Sequence, residues 1–183
     1  MKIKTKEMIL VSLFTALTAV GAFLSIPLGN VPMSLQTLFT LLAGLVLRAK
    51  LGALSQFVYV ILGLAGVRIF AGFSGGPQTV FSPTFGFLIG FIAAAFVVGK
   101  IKEMNKANSF LYMLFATLVG TLVIYAFGVP YLYLIINKLL LKEFSFMTAL
   151  KTGCLIFLPG DLLKCVVSSY VASKVLPKVN SSS

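Results

Sequence analysis

Of the chain's 183 residues, 59% are hydrophobic and only 10% are charged, and the mean hydropathy is +1.06; this excludes an ordinary soluble domain, where about a quarter of residues carry charge. The formal charge of +11 would suit nucleic acid, but the bases gather in alternate connectors between apolar runs, which is the pattern of a membrane protein. With no histidine, no cysteine cluster, no paired carboxylates and no serine nucleophile beside a base, the chain lacks the parts for metal or covalent catalysis, so we expect no enzyme, metal or cofactor.

A hydrocarbon core about 30 Å thick takes roughly 20 apolar residues per helical crossing. The length therefore predicts an all-α integral membrane protein of six transmembrane helices, one domain over residues 1–183. The first apolar run, Met8–Ile26, follows Lys2, Lys4 and Lys6. Such a start imitates a secretory signal, with Ala19-Val20-Gly21-Ala22 as a weak cleavage site, but apolar sequence continues through Phe23, Leu24 and Ile26, so a retained crossing is expected.

The uncharged turn Pro27–Pro32 leads to a short second span, Met33–Leu47, and Arg48–Lys50 separates it from a third, Leu51–Val67. Gln36, Gln56 and Tyr59 are polar groups in or beside these spans. Unpaired amides are costly in an apolar medium, so each implies either a helix-to-helix hydrogen bond or a ligand contact. A connector from Arg68 to Pro83 follows, containing the glycine-rich stretch Phe70–Gln78.

The fourth and fifth spans are expected at Phe85–Ile101 and Phe110–Phe127. Between Gly128 and Thr152 the pattern is ambiguous, since Tyr131–Leu141 is apolar enough to lie along the interface or to extend the fifth helix past Pro130. Tyr125, Tyr131 and Tyr133 suit an outer aromatic belt. The last span, Gly153–Leu176, holds both cysteines, Cys154 and Cys165, eleven positions apart. Helical rise would separate them by roughly 16 Å, too far for a disulfide.

An N-terminus inside the cell places ten of the fifteen bases on the cytoplasmic side: Lys2, Lys4, Lys6, Arg48, Lys50, Lys100, Lys102, Lys106, Lys174 and Lys178. Four fall outside, Arg68, Lys138, Lys142 and Lys151, and Lys164 lies within the last span. The bias predicts both termini in the cytoplasm. Small residues recur at four-residue spacing, as in Ser12 with Ala16 and Gly86 with Gly90, which lets helices approach closely in lipid.

The sharpest local signal is Pro159-Gly160-Asp161-Leu162-Leu163-Lys164. It sets a carboxylate and an ammonium on one helical face inside an apolar span, where each charge costs about 2.5–3.5 kcal/mol on translocon scales. The two charges either pin the helix to a neighbour or face a ligand cavity. The Pro-Gly break favours the cavity, because irregular backbone at membrane depth is tolerated where it lines one.

Taken in order, Ile26-Pro27-Leu28-Gly29, Val31-Pro32-Met33-Ser34-Leu35-Gln36-Thr37-Leu38, Leu51-Gly52-Ala53-Leu54-Ser55-Gln56, Leu62-Gly63-Leu64-Ala65-Gly66, Phe70-Ala71-Gly72, Ser74-Gly75-Gly76 and Pro159–Lys164 resemble the BioY family, the biotin-specific S components of energy-coupling factor (ECF) vitamin transporters. The likeness runs from about Leu10 to Lys174. It implies a six-helix bundle of the ECF S-component type in a bacterial cell membrane, with an outward-facing biotin pocket under the first and third loops. Asp161 and Lys164 fall on the family's ligand-contacting aspartate and lysine, with Gln36, Tyr59, Phe73 and Gln78 as further expected contacts. The implied partners are biotin, membrane lipid, a transmembrane coupling subunit and two ATP-binding subunits, and Ser12 and Ala16 occupy the spacing of the family's docking motif. Two departures stand out: Arg68 where a proline is expected, and Ser82-Pro83-Thr84-Phe85-Gly86-Phe87 in place of a more glycine-rich segment. Rival readings are an S component for another vitamin, a solitary gradient-driven biotin carrier, and an assembly subunit in which the ion pair only fixes a helix.

Overall fold

The computed structural model describes residues 4–28, 31–105, 109–141 and 143–180, with side chains through Pro177. Expectations for Lys2, Gly29, Asn30, Lys106 and Lys142, and for the side chain of Lys178, fall outside the described residues.

Helix α1, Thr5–Phe23, opens with the Lys4 backbone N–H donating to Glu7 Oε2 at 2.8 Å. The acid thereby satisfies a donor that the first helical turn leaves unpaired. Its buried face, Val11, Phe14, Thr15, Thr18, Gly21 and Ala22, follows the helical period. The uncharged turn then proves to be a β-hairpin: β1, Ser25–Leu28, pairs antiparallel with β2, Val31–Ser34, and Pro27 lies opposite Pro32. A two-stranded ribbon has an edge on each side, where a proline's missing donor is tolerated.

Helix α2, Gln36–Leu64, covers both the second and the third expected spans, but it is not one straight rod. Arg48 breaks it with φ 67° and ψ −174°, and Thr40 Oγ1 reaches Gln56 Oε1 at 3.0 Å. Sixteen residues along an unbroken helix would span about 24 Å, so the two halves fold back on each other. Gln56 is fully buried there, and its Nε2 donates to Thr18 of α1 at 3.1 Å. Replacing Gln56 with leucine strands the Thr40 hydroxyl while Thr18 keeps its bond to the Phe14 carbonyl. We expect a loss of about 1–2 kcal/mol, read as a lower thermal midpoint in detergent.

Helix α3, Phe85–Met104, packs between α2 and α4, and α4 runs from Phe110 to Lys138. The sequence ends this span at Phe127, whereas the helix passes through Pro130, which is exposed. Beyond it the chain is held by Tyr131, whose hydroxyl donates to the Val80 carbonyl, and by Asn137, which bonds the Phe144 carbonyl at 2.8 Å and its N–H at 3.1 Å. A short α5, Phe146–Leu150, and a π-helical turn, Lys151–Leu155, precede α6, Leu158–Asn180. The last helix therefore starts at Leu158 rather than Gly153, leaving Cys154 in the π turn and Cys165 in α6, both free. Pro159 is accommodated because the first turn of a helix does not need its N–H.

Among the described residues, five stretches are long and apolar enough to cross a membrane: Thr5–Phe23, Gln36–Leu64, Phe85–Met104, Phe110–Lys138 and Phe146–Pro177. The expected count of six differs because two of its spans are joined through the break at Arg48. One apolar cluster gathers Val11, Leu47, Val98, Met113 and Leu176 at the end that carries Arg48. The other, around Phe70, Phe87, Phe91, Tyr125 and Phe157, surrounds the cavity described next.

Candidate functional site

A cavity opens at the far end of α3 from Arg48: Phe87, Leu88 and Phe91 line it, whereas Gly99 packs on the Arg48 break. It encloses about 650 Å³ of space, counting the part open to solvent. The hairpin contributes Val31–Ser34, the start of α2 adds Gln36 and Thr37, and the connector after α2 adds Phe70, Ala71, Ser74 and Thr79. Ile124 and Tyr125 come from α4, and Phe157, Asp161 and Lys164 from the start of α6. The walls are therefore aromatic and aliphatic, with polar groups concentrated at two places.

The first is the ion pair. Lys164 Nζ lies 2.7 Å from Asp161 Oδ1, and both residues are buried, 7% and 5% exposed. The local cause is the break before α6, which puts Asp161 in the first helical turn, where the helix dipole favours a negative charge. The other carboxylate oxygen, Oδ2, accepts from the Tyr125 hydroxyl. The sequence assigns Tyr125 to an outer aromatic belt; the structure corrects this, burying the ring and aiming its hydroxyl at Asp161. Its spacing holds the signal, since Thr117, Thr121 and Tyr125 recur every four residues on the face of α4 that meets α6.

The second is a chain of hydrogen bonds behind the hairpin. Ser34 donates to Gln36 Oε1 at 2.9 Å, Gln36 Nε2 donates to the Tyr59 hydroxyl at 2.7 Å, and that hydroxyl donates to the Ile69 carbonyl at 2.8 Å. Gln36 lines the cavity; Tyr59, fully buried, stands behind the wall and fixes the orientation of the Gln36 amide. Tyr59 also packs edge-on against Phe70, with ring centroids 5.4 Å apart.

Phe73 and Gln78 are not brought to this cavity. They line a shallower outer depression with Arg68, Ser74, Gly75, Thr79 and Ser82, and Ser74 and Thr79 border both spaces. Phe73 is largely exposed and stacks on Phe23 at the end of α1, centroids 4.9 Å apart, while Gln78 Nε2 donates to the Gly75 carbonyl at 2.6 Å. Sequence reasoning missed Thr37, Phe87, Phe91, Ile124 and Phe157, apolar or small positions that read as ordinary span residues until folding gathers them. Ser12 and Ala16 line neither space and lie on the exposed face of α1. Among the described residues no group of three or more metal-ligating side chains occurs.

A crystal structure of the S component for biotin from an ECF-type ABC transporter superposes with a TM-score of 0.85, at 24% identity, covering 96% of this chain and 95% of the other. Curated relatives include the biotin transporter BioY of Thermotoga maritima, 39% identical over 93% of this chain and 95% of its own length, and the probable biotin transporter BioY of Lysinibacillus sphaericus, 37% identical over 93% and 87%. The probable biotin transporter BioY of Pyrococcus horikoshii is 39% identical over 94% of this chain. The apolar helices and these transporter relatives make the chain a multi-pass membrane protein. Since the BioY family model matches residues 1–181, essentially end to end, the chain belongs to the BioY family.

Proposed function

We propose that this protein captures biotin at the outer face of a bacterial cell membrane and imports it as the substrate-specific S component of an ECF-type transporter. The observation that carries this reading is the Asp161–Lys164 pair on the wall of an apolar cavity, in a chain whose relatives are named biotin transporters. Biotin has a compact fused-ring head with one polar ureido group, which offers N–H donors beside a carbonyl acceptor. Asp161 uses one lone pair on each oxygen, for Lys164 and for Tyr125, and an ionised carboxylate has about four acceptor sites. It therefore has acceptors free for ureido N–H groups, while the Lys164 ammonium keeps donors for the ureido oxygen. The head packs against Phe87, Phe91, Ile124 and Phe157, and Gln36, held by Tyr59, faces it from α2.

The topology follows from the same reading. The halves of α2 on either side of Arg48 count as separate crossings, giving six in one transmembrane domain with both termini in the cytoplasm. Lys4, Lys6, Arg48, Lys50, Lys100, Lys102 and Lys174 then share the cytoplasmic end, and Arg68, Lys138 and Lys151 the outer one, a split that supports this orientation. Ser12 and Ala16 leave a small-residue patch on the exposed face of α1, which suits docking on a transmembrane coupling subunit that joins two ATP-binding subunits.

Titration calorimetry of the detergent-purified protein tests the reading. Biotin is expected to bind tightly with one site per chain, and riboflavin and thiamine to give no heat. Silence with biotin, or a response to another vitamin in its place, would refute it.

A further inference from the structure

The outer depression has a composition of its own. Arg68 supplies a guanidinium, Ser74, Thr79 and Ser82 supply hydroxyls, Gln78 supplies an amide, and no acidic residue lines it. Arg68 is exposed and has no ion pair among the described residues. Its backbone is firmly placed: a Cβ on Gly75 would come within 2.4 Å of the Val67 carbonyl oxygen and 3.2 Å of Arg68 Cα, so the two sides of the connector are in direct contact. The Gly76 N–H anchors the same loop to the Gly63 carbonyl of α2 at 2.7 Å.

We infer that this depression seats the carboxylate of the bound substrate, with Arg68 as its counter-charge, so that Arg68 selects the free acid over neutral derivatives. The inference rests on the biotin reading above. The inner cavity already contains a matched pair of charges in Asp161 and Lys164, so an added carboxylate there would crowd Asp161 and compete for Lys164. The outer depression offers the complement: a lone cation among neutral donors, in contact with solvent, where a carboxylate keeps part of its hydration. Ser74 and Thr79 border both spaces, so a ligand with its ureido head beside Asp161 extends its flexible acyl chain past them toward Arg68. A guanidinium matches a carboxylate with two parallel N–H donors, which a point charge does not.

The test compares biotin with biotin methyl ester, which keeps the ring and the acyl chain but has no charge, on the wild type, Arg68→Gln and Arg68→Lys. Wild type should prefer the acid, and Arg68→Gln should weaken biotin binding by roughly three- to tenfold, the range for a partly exposed charge-assisted bond, while leaving the ester within about twofold. Arg68→Lys, which keeps the charge but not the paired donors, should retain only part of the preference. Equal binding of acid and ester by the wild type, or an equal loss of both on Arg68→Gln, would overturn the role of Arg68 while biotin binding itself stands. If the wild type binds neither ligand, the biotin reading falls and this inference with it.

Discussion

Asp161→Ala is expected to abolish high-affinity biotin binding and to destabilise the protein by about 3–5 kcal/mol, the cost of leaving one member of a buried ion pair without its partner. Both effects arise at one carboxylate. Its removal leaves the Lys164 ammonium, 7% exposed, without its counter-charge, and takes the acceptor from the Tyr125 hydroxyl. Both groups are buried within the protein, where an unpaired polar group is costly. The binding loss is expected to be at least tenfold, or about 1.4 kcal/mol, because the ureido N–H groups lose their ionised acceptor.

A second variant separates the recognition role from a purely structural one. Asp161→Asn combined with Lys164→Met removes both charges with little change in volume, and replacing a buried ion pair by neutral groups is often neutral or stabilising. The double variant should therefore melt near the wild-type temperature and still fail to bind biotin. If it melts normally and binds normally, the pair takes no part in recognition. Thermal unfolding in detergent and calorimetry on the same preparation give both readouts.

The bundle was legible because lipid imposes a coarse rule: apolar runs of sufficient length must be helices. The starts of the spans at Phe85 and Phe110 agree with α3 and α4. Boundaries moved where a local breaker met tertiary support. Pro130 reads as an end, yet α4 continues to Lys138 because the proline faces outward and Asn137 fastens the returning chain. The strands Ser25–Leu28 and Val31–Ser34 look like a turn in the sequence, since four-residue strands containing prolines carry almost no periodic signal.

For the site, the charged pair announced itself because charges are rare in spans, and Gln36 because an amide there needs a partner. Phe73 and Gln78 lie in the glycine-rich connector expected to close over the pocket, but the connector folds so that they face the outer depression. Tyr125 was hidden by its amphipathic character, equally suited to an interface belt and to a buried hydrogen bond. What separates the two is the face of α4 it shares with Thr117 and Thr121, a relation that becomes informative only once α6 is known to lie against that face.

Gly99→Ala is the second large effect expected, and it arises at the opposite end of the molecule. A Cβ there would lie 2.2 Å from the Ala49 backbone nitrogen and 2.3 Å from the Arg48 carbonyl carbon. These are backbone atoms, so no side-chain rotation relieves the clash; α3 must move away from the break in α2. That break is also held to α3 by the Ala49 N–H, which donates to Glu103 Oε1 at 3.2 Å, and separation stretches this bond. The expected loss is about 3 kcal/mol, the upper part of the range for overpacked contacts, against no more than about 0.5 kcal/mol for Ala126→Leu on the exposed face of α4. Phe91, the cavity residue nearest in sequence on α3, is eight positions away, about 12 Å along the helix. The protein that remains folded should thus bind biotin with unchanged affinity, and the damage should appear as a lower melting temperature and fewer binding-competent molecules. A weakened affinity with a normal melting temperature would mean instead that the break at Arg48 is coupled to the cavity.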